Sequence, residues 1–215
     1  THLNVDRLVG FEVECVLEQR INLEREVSTV LARGQSGEIT NFPVAENVHV
    51  NGILHATTVP SSVPVQHAQT AIQMADKIAA SLGYVGIMAV EFFISQEGDV
   101  IANEIAPRPH NSGHFTLDAC ETSQFEQQVR MLCGLPSGNC ELKSPVVMIN
   151  ILGDIWGSSV PNWDKLLSQP NNKLHLYGKK EARPGRKMGH FNVLATSIEQ
   201  ATVIANQSFE DLKAD

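Results

Sequence analysis

The chain has 215 residues, 42% of them hydrophobic, and a formal net charge of −8. That length and apolar share support one or two ordinary domains with real cores, and the acidic balance speaks against a broad nucleic-acid-binding surface. No apolar run approaches the roughly 20 residues of a membrane span and no signal peptide is visible, so neither membrane nor nucleic acid is an expected partner. The four cysteines (Cys15, Cys120, Cys133, Cys140) lack CxxC spacing and read as reduced thiols of a cytoplasmic protein, not as a zinc site or a disulfide framework.

The chain opens on Thr1 and holds no glycine-rich phosphate loop, as a piece of a longer polypeptide would. Residues 12–17 and 27–32 predict two strands, the second closed by turn signals at Arg33-Gly34 and Ser36-Gly37. Glu18 and Glu26 flank the connection between them and, on residue type alone, are exposed charges. Asn51-Gly52 predicts a tight hairpin within 41–56, where His49 reads as an ordinary turn histidine. Residues 65–82 place Ala68, Ala71, Ile72, Ala75, Ile78, Ala79 and Leu82 at helical period, with Gly83 as the stop. The predicted helix packs one face on the hairpin sheet.

Two apolar runs follow, 85–95 and 100–106, around a Gln96-Glu97-Gly98-Asp99 turn. Pairing Ser95 with Val100 and counting back sets Glu91 opposite Glu104. Like charges directly opposite on a sheet are destabilising, and a fold keeps them when something positive lies between. Oxygen-only ligands suit magnesium holding phosphates; a shared proton or two solvated edge carboxylates are the alternatives. Strict alternation puts the adjacent Asn103 on the apolar face, so a bulge or a ligand role is needed there. The next loop crowds Arg108, His110, Asn111, Ser112 and His114 together, stiffened by Pro107 and Pro109 and freed at Gly113. A rigid surface turn would not need that set.

Ser123 and Glu126 form a capping box for a helix running through Cys133, which Gly134 and Pro136 end. Residues 137–139 are the best domain boundary. Beyond it the pattern predicts a strand at 146–152, a short helix at 163–167, a strand at 173–177 and a strand at 188–195. Ser197 and Gln200 then cap a helix over 198–212. The segment Lys179, Lys180, Arg183, Arg186, Lys187 is either a seat for a small anion or a solvated loop. Mixed helices and strands with prominent hairpins give the class α+β.

The segments NEIAPRPHNSGH (103–114), SQFEQQVRMLCGLP (123–136) and YGKKEARPGRKMGH (177–190) resemble the N5-carboxyaminoimidazole ribonucleotide synthase family, within the biotin-independent carboxylase branch of the ATP-grasp superfamily. The resemblance covers nearly the whole chain. It implies that residues 1–136 are the C-terminal part of an ATP-grasp domain, with a mainly antiparallel sheet, and that 140–215 are a small α+β domain binding substrate phosphate. The implied activity is ATP-dependent carboxylation of 5-aminoimidazole ribonucleotide by bicarbonate, through carboxyphosphate, in de novo purine biosynthesis, in a cytoplasmic homodimer. By the same resemblance, Glu18, Gln19, Arg20 and Ile21 meet the adenine, Glu26 takes the ribose hydroxyls, and His49 lies near the nucleotide. Glu91 and Glu104 hold Mg2+, with Asn103 beside them. Arg108, His110 and Lys179 are the implied catalytic groups, and these three with Asn111, Ser112 and Arg186 bind the ribonucleotide. Lys180 is a one-residue alternative to Lys179. The family's N-terminal Rossmann-like domain and its phosphate-covering lid find no match here, which implies an incomplete fragment inactive alone. Three alternatives stand beside this: a formate-dependent glycinamide ribonucleotide transformylase-like ligase, which should lack PRPHNSGH and GRKMGH; a bifunctional parent with a carboxylase or mutase domain beyond Asp215; and a non-catalytic binding module.

Overall fold

Hairpin-linked strands of alternating character build one antiparallel sheet of nine strands. The computed structural model describes residues 18–157 and 160–213, so the strand expected at 12–17, and Cys15 with it, lie outside the described residues. The elements are β1 Leu23–Arg33, β2 Ile39–Asn41, β3 Ala45–Val50, β4 Ile53–Val59, α1 Val65–Ser81, β5 Gly86–Ser95, β6 Val100–Ala106, α2 Thr116–Ala119, α3 Gln124–Leu132, β7 Val146–Leu152, α4 Trp163–Leu167, β8 Asn172–Leu176, β9 Lys187–Leu194 and α5 Ile198–Leu212. The sheet order is β6-β5-β1-β3-β4-β7-β9-β8, with β2 also paired to β1. The class is α+β. Because β7 pairs with β4, the sheet continues across residues 137–139. The Gln127 side-chain amide ties both backbone groups of Gly138 there, at 2.9 and 2.8 Å.

Helices cover one face of the sheet. Ala71, Ala75 and Ala79 of α1 are small enough to let the helix press onto Val27, Leu31, Met88, Val90 and Phe92. Ala201, Ala205 and Leu212 of α5 do the same over Val147, Ile149, Phe191 and Val193. The other face changes character along its strands. At one end Val30, Ala32, Ile87, Ala89 and Met148 form a core with Phe115, Ala119 and Met131. Two residues further along β1 come Ser28 and Glu26, which stand opposite Glu91 and Phe93 of β5. Asn47 and Thr57 extend the polar row, Thr57 Oγ1 donating to Asn47 Oδ1 at 2.9 Å and Asn47 Nδ2 to Ser28 Oγ at 3.0 Å. These buried groups are paired, as burial demands, and next to them Glu26, Glu91 and Phe93 line an open cleft.

The turns are the ones the residues allow. Asn51 and Gly52 sit at φ 52° and 74°, the left-handed pair of a type I′ hairpin. In the β5–β6 hairpin, Ile94 and not Ser95 pairs with Val100, one residue off the expected register. A bulge between Phe92 and Glu91 takes up Asn103 as the extra residue and restores Glu91 opposite Glu104. The slip at the turn and the bulge cancel, and the bulge removes the need to bury the Asn103 amide.

Candidate active site

The open end of that face is a cleft of about 650 Å³. Strands β1, β5 and β6 bring Glu26, Glu91 and Glu104 to it. The loop after β6 brings Arg108 and His110, and the β8–β9 connection brings Lys179 and Lys187. Carboxylates therefore face cations across one space, an arrangement suited to a polyanion and a hard cation together.

Burial pushes the Glu91 carboxyl above its usual range; the Glu104 and Glu26 carboxylates add to this, and His49 and Lys187 oppose it. Unrelieved repulsion of that kind is what a bound cation removes. Among the described residues no three His, Cys, Asp or Glu side chains converge to hold a metal alone. The facing pair Glu91 and Glu104, with the Asn103 amide also on the cleft, offers oxygen donors only. That donor set fits magnesium, which binds through one or two carboxylates and completes its shell with phosphate oxygens and water.

His49 Nδ1 pairs with the Glu26 carboxylate, and this hydrogen bond raises the His49 pKa. His110 is held differently. Its Nδ1 accepts from the Ser112 N–H at 3.3 Å and meets Ser112 Oγ at 2.9 Å. The proton is then on Nε2, which points at Glu91 Oε1, 3.7 Å away. Burial first, then the Arg108 charge, pulls the His110 pKa down to about 4. At neutral pH its imidazole is therefore neutral.

The loop that carries these groups is clamped from behind. Gln124 Oε1 accepts from the His110 N–H at 2.9 Å, while its Nε2 donates to His110 O at 2.8 Å and to His114 Nδ1 at 2.9 Å. Asn111 is buried with its amide donating to Asn150 Oδ1 at 2.9 Å, and Asn150 donates on to Leu54 O at 2.7 Å. Asn111 and Ser112, expected to touch the ribonucleotide, thus stand behind the cleft wall and support it. Arg186 is also off the cleft, its guanidinium donating to Glu181 O at 3.0 Å. Its neighbour Lys187 is on the cleft, with burial holding its ammonium pKa below the ordinary value. Lys187 was the residue the sequence concealed. It reads as the last charge of a basic run, and only a register shift between Ile151 and Leu152, which sets Lys187 opposite Leu152, brings it to this place. Lys179 lines the cleft and donates to Lys187 O; Lys180 does not line it.

Gln19, Arg20 and Ile21 line a separate hollow of about 330 Å³, shared with Ser95, Glu97 and Asp99 of the β5–β6 turn. Gln96 N donates to Asn22 O at 2.9 Å and fixes the segment there. Glu18 is exposed and lines neither space.

An ATP-grasp domain model matches residues 4–125, over half of the chain, and a phosphoribosylaminoimidazole carboxylase C-terminal domain model matches 146–203. The chain belongs to the ATP-grasp family. Within it, the chain is similar to N5-carboxyaminoimidazole ribonucleotide synthases. It is 49% identical over 188 residues to that of Brucella melitensis, covering 87% of this chain and 50% of the relative. An N5-carboxyaminoimidazole ribonucleotide synthetase solved with ADP superposes at a TM-score of 0.81 with 45% identity, over 92% of this chain and 52% of that one. The synthase of Aspergillus clavatus, solved with ADP and the aminoimidazole ribonucleotide, gives 0.81 at 30% identity, over 90% and 52%. The chain spans about half the length of the relatives it matches.

Proposed function

We propose that this chain forms the nucleotide- and ribonucleotide-facing part of an N5-carboxyaminoimidazole ribonucleotide synthase, active at the full length of its relatives. The reaction is ATP-dependent carboxylation of 5-aminoimidazole ribonucleotide by bicarbonate, through carboxyphosphate, giving ADP and phosphate in purine biosynthesis. The observation that carries the reading is the single cleft in which Glu91 and Glu104 face Arg108, Lys179 and Lys187 with a neutral His110 between them. The phosphoribosylaminoimidazole carboxylase C-terminal match over 146–203 supports it over the formate-dependent ligase.

Glu91 and Glu104, with Asn103, would hold Mg2+, which neutralises triphosphate charge. Residues 19–21 and Glu26 receive the adenosine part. Arg108 offers a planar, permanently charged fork to a phosphoryl or carboxyphosphate oxygen. His110 donates its Nε2–H. Lys187 and Lys179 supply point charges to the ribonucleotide phosphate, and partial burial of Lys187 strengthens its pull. No described helix is long and apolar enough to cross a membrane. Phe125, Val129 and Leu132 lie exposed along α3 at helical spacing, which supports a homodimer contact that sedimentation would detect.

Calorimetric titration of this chain with Mg-ADP and with 5-aminoimidazole ribonucleotide tests the binding half. In a protein of full length, bicarbonate-dependent ADP release should be stimulated by 5-aminoimidazole ribonucleotide. Stimulation by glycinamide ribonucleotide and formate instead would overturn the reading.

A further inference from the structure

Behind the cleft, three imidazoles stand in a row, the first pair tilted by 34° and the second stacked. His114, from the loop after β6, lies 4.8 Å from His190 of β9, and His190 lies 4.6 Å from His175 of β8 with the rings 12° apart. Both ends are tied. His114 Nδ1 accepts from Gln124, the amide that also clamps His110, while His175 Nε2 meets Asp118 Oδ2 at 2.8 Å. Asn192 donates to the same Asp118 oxygen at 2.6 Å and to His114 O at 3.3 Å. The middle ring reaches sideways: Tyr177 Oη meets His190 Nδ1 at 2.9 Å. Burial drives the Tyr177 phenol pKa up to about 12, so it keeps its proton, and the other His190 nitrogen, Nε2, is buried with no hydrogen-bond partner among the described residues. Tyr177 N donates to Met188 O at 2.9 Å, and the Tyr177 ring carries the Lys179 ammonium 5.5 Å above its centre. Lys179 in turn donates to Lys187 O.

None of these rings lines the cleft, yet the row joins its two walls. One wall is the loop with Arg108 and His110; the other is the β8–β9 arm with Lys179 and Lys187. Gly189 shows how close the arm packs: a Cβ there would sit 2.4 Å from His175 O. His114 and His190 are held neutral by burial, with pKa values of about 4 and about 3.

We infer that Tyr177 and His190 are positioning residues: the Tyr177–His190 hydrogen bond and the imidazole stack set Lys179 and Lys187 against the Arg108–His110 loop, and so fix the seat of the ribonucleotide's anionic group. The inference rests on the function proposed above for the ligand, but not for the geometry. Two measurements on this chain separate the cases. The first is titration with 5-aminoimidazole ribonucleotide and with ADP. Tyr177→Phe removes one oxygen and should weaken the ribonucleotide about tenfold, equivalent to about 1.4 kcal/mol, while ADP stays within about twofold. His190→Leu should do the same, and His190→Asn, whose side-chain oxygen can take the place of Nδ1, should recover most of the loss. The second is the 15N spectrum of the histidine rings. His190 should show a single neutral tautomer, and Tyr177→Phe should shift its Nδ1 signal. A parent chain that ignores the ribonucleotide would overturn the functional reading and leave the spectrum to decide on the joint. Unchanged ribonucleotide affinity in Tyr177→Phe, or a His190 signal untouched by it, would overturn the positioning role. Should His190→Leu fail to melt cooperatively, Tyr177→Phe still decides.

Discussion

Within the cleft, one charge can be moved at a time. Glu104 stands on an edge strand facing Glu91, and its carboxylate helps keep the Glu91 carboxyl above its ordinary range. Glu104→Gln should therefore lower the Glu91 pKa and leave the fold intact, with a gain in unliganded stability of a few tenths of a kcal/mol. The same change should weaken Mg-ADP by tenfold or more while leaving metal-free ADP binding nearly unaltered. Equal effects with and without magnesium would remove Glu104 from the metal. At the opposite wall, Lys187→Met keeps most of the stem and deletes the cation. It should cost about 2 kcal/mol of ribonucleotide affinity, as lost charge-assisted hydrogen bonds do. Arg186→Ala, one residue away and bonded to Glu181 O, should change that affinity less than about twofold. Calorimetry on the two variants side by side reads the contrast, and the reverse order would return the role to Arg186.

The elements were legible where their signals were local. The helix over 198–212 and the strand over 146–152 have the expected bounds, and β8 is displaced by one residue. The capping boxes are half formed. Ser123 and Ser197 accept the expected backbone N–H groups of Glu126 and Gln200. The Glu126 carboxylate, however, turns to Arg130, and Gln200 Oε1 to the Thr196 hydroxyl. The carboxylate pair was reached although the turn register was one residue off, because the bulge at Asn103 cancels the slip. The place of Asn111 was not legible, because polarity in a loop does not say which side of a wall it faces, and its partner Asn150 is 39 positions away. Lys187, Tyr177 and His190 were hidden for the same reason: their places depend on β7–β9 and β8–β9 pairing. The Asn111–Asn150 contact has a direct consequence. Asn111→Ala leaves the buried Asn150 amide with one partner fewer, so stability should fall by about 1–3 kcal/mol. Because the same contact seats the His110 loop, ribonucleotide affinity should fall with it. A shifted urea midpoint with unchanged affinity would make Asn111 purely structural.

The whole sheet divides its second face between a dry core and a polar cleft, and the buried histidines lie where the two meet. That placement makes the molecule sensitive to acid. His114 and His190 are pulled by burial from an ordinary 6.5 to about 4 and about 3. As the pH falls below about 6.5, the unfolded chain takes a proton at each ring and the folded chain does not, so stability drops with falling pH until the folded values are reached. His110, pulled down to about 4 as well, acts with them, and by pH 5 the three together remove about 6 kcal/mol, a large part of a typical domain's 5–15 kcal/mol. Glu91 and His49, whose folded pKa values are raised, work in the opposite direction and offset part of this. Asp118 and Glu46 add to the loss further down: burial opposes the shift in both, but their hydrogen bonds prevail and hold each below its ordinary value. The melting temperature of this chain should fall by about 10 °C between pH 7 and pH 5 at constant ionic strength, using 2–4 °C per kcal/mol for a chain of this size. His190→Phe keeps a flat ring in the row without a titrating nitrogen, so the histidine-driven fall in its melting temperature should be about a third smaller over the same range. A parent profile flat from pH 7 to pH 5 would mean that these imidazoles reach water, and the neutral joint between the cleft walls would fall with it.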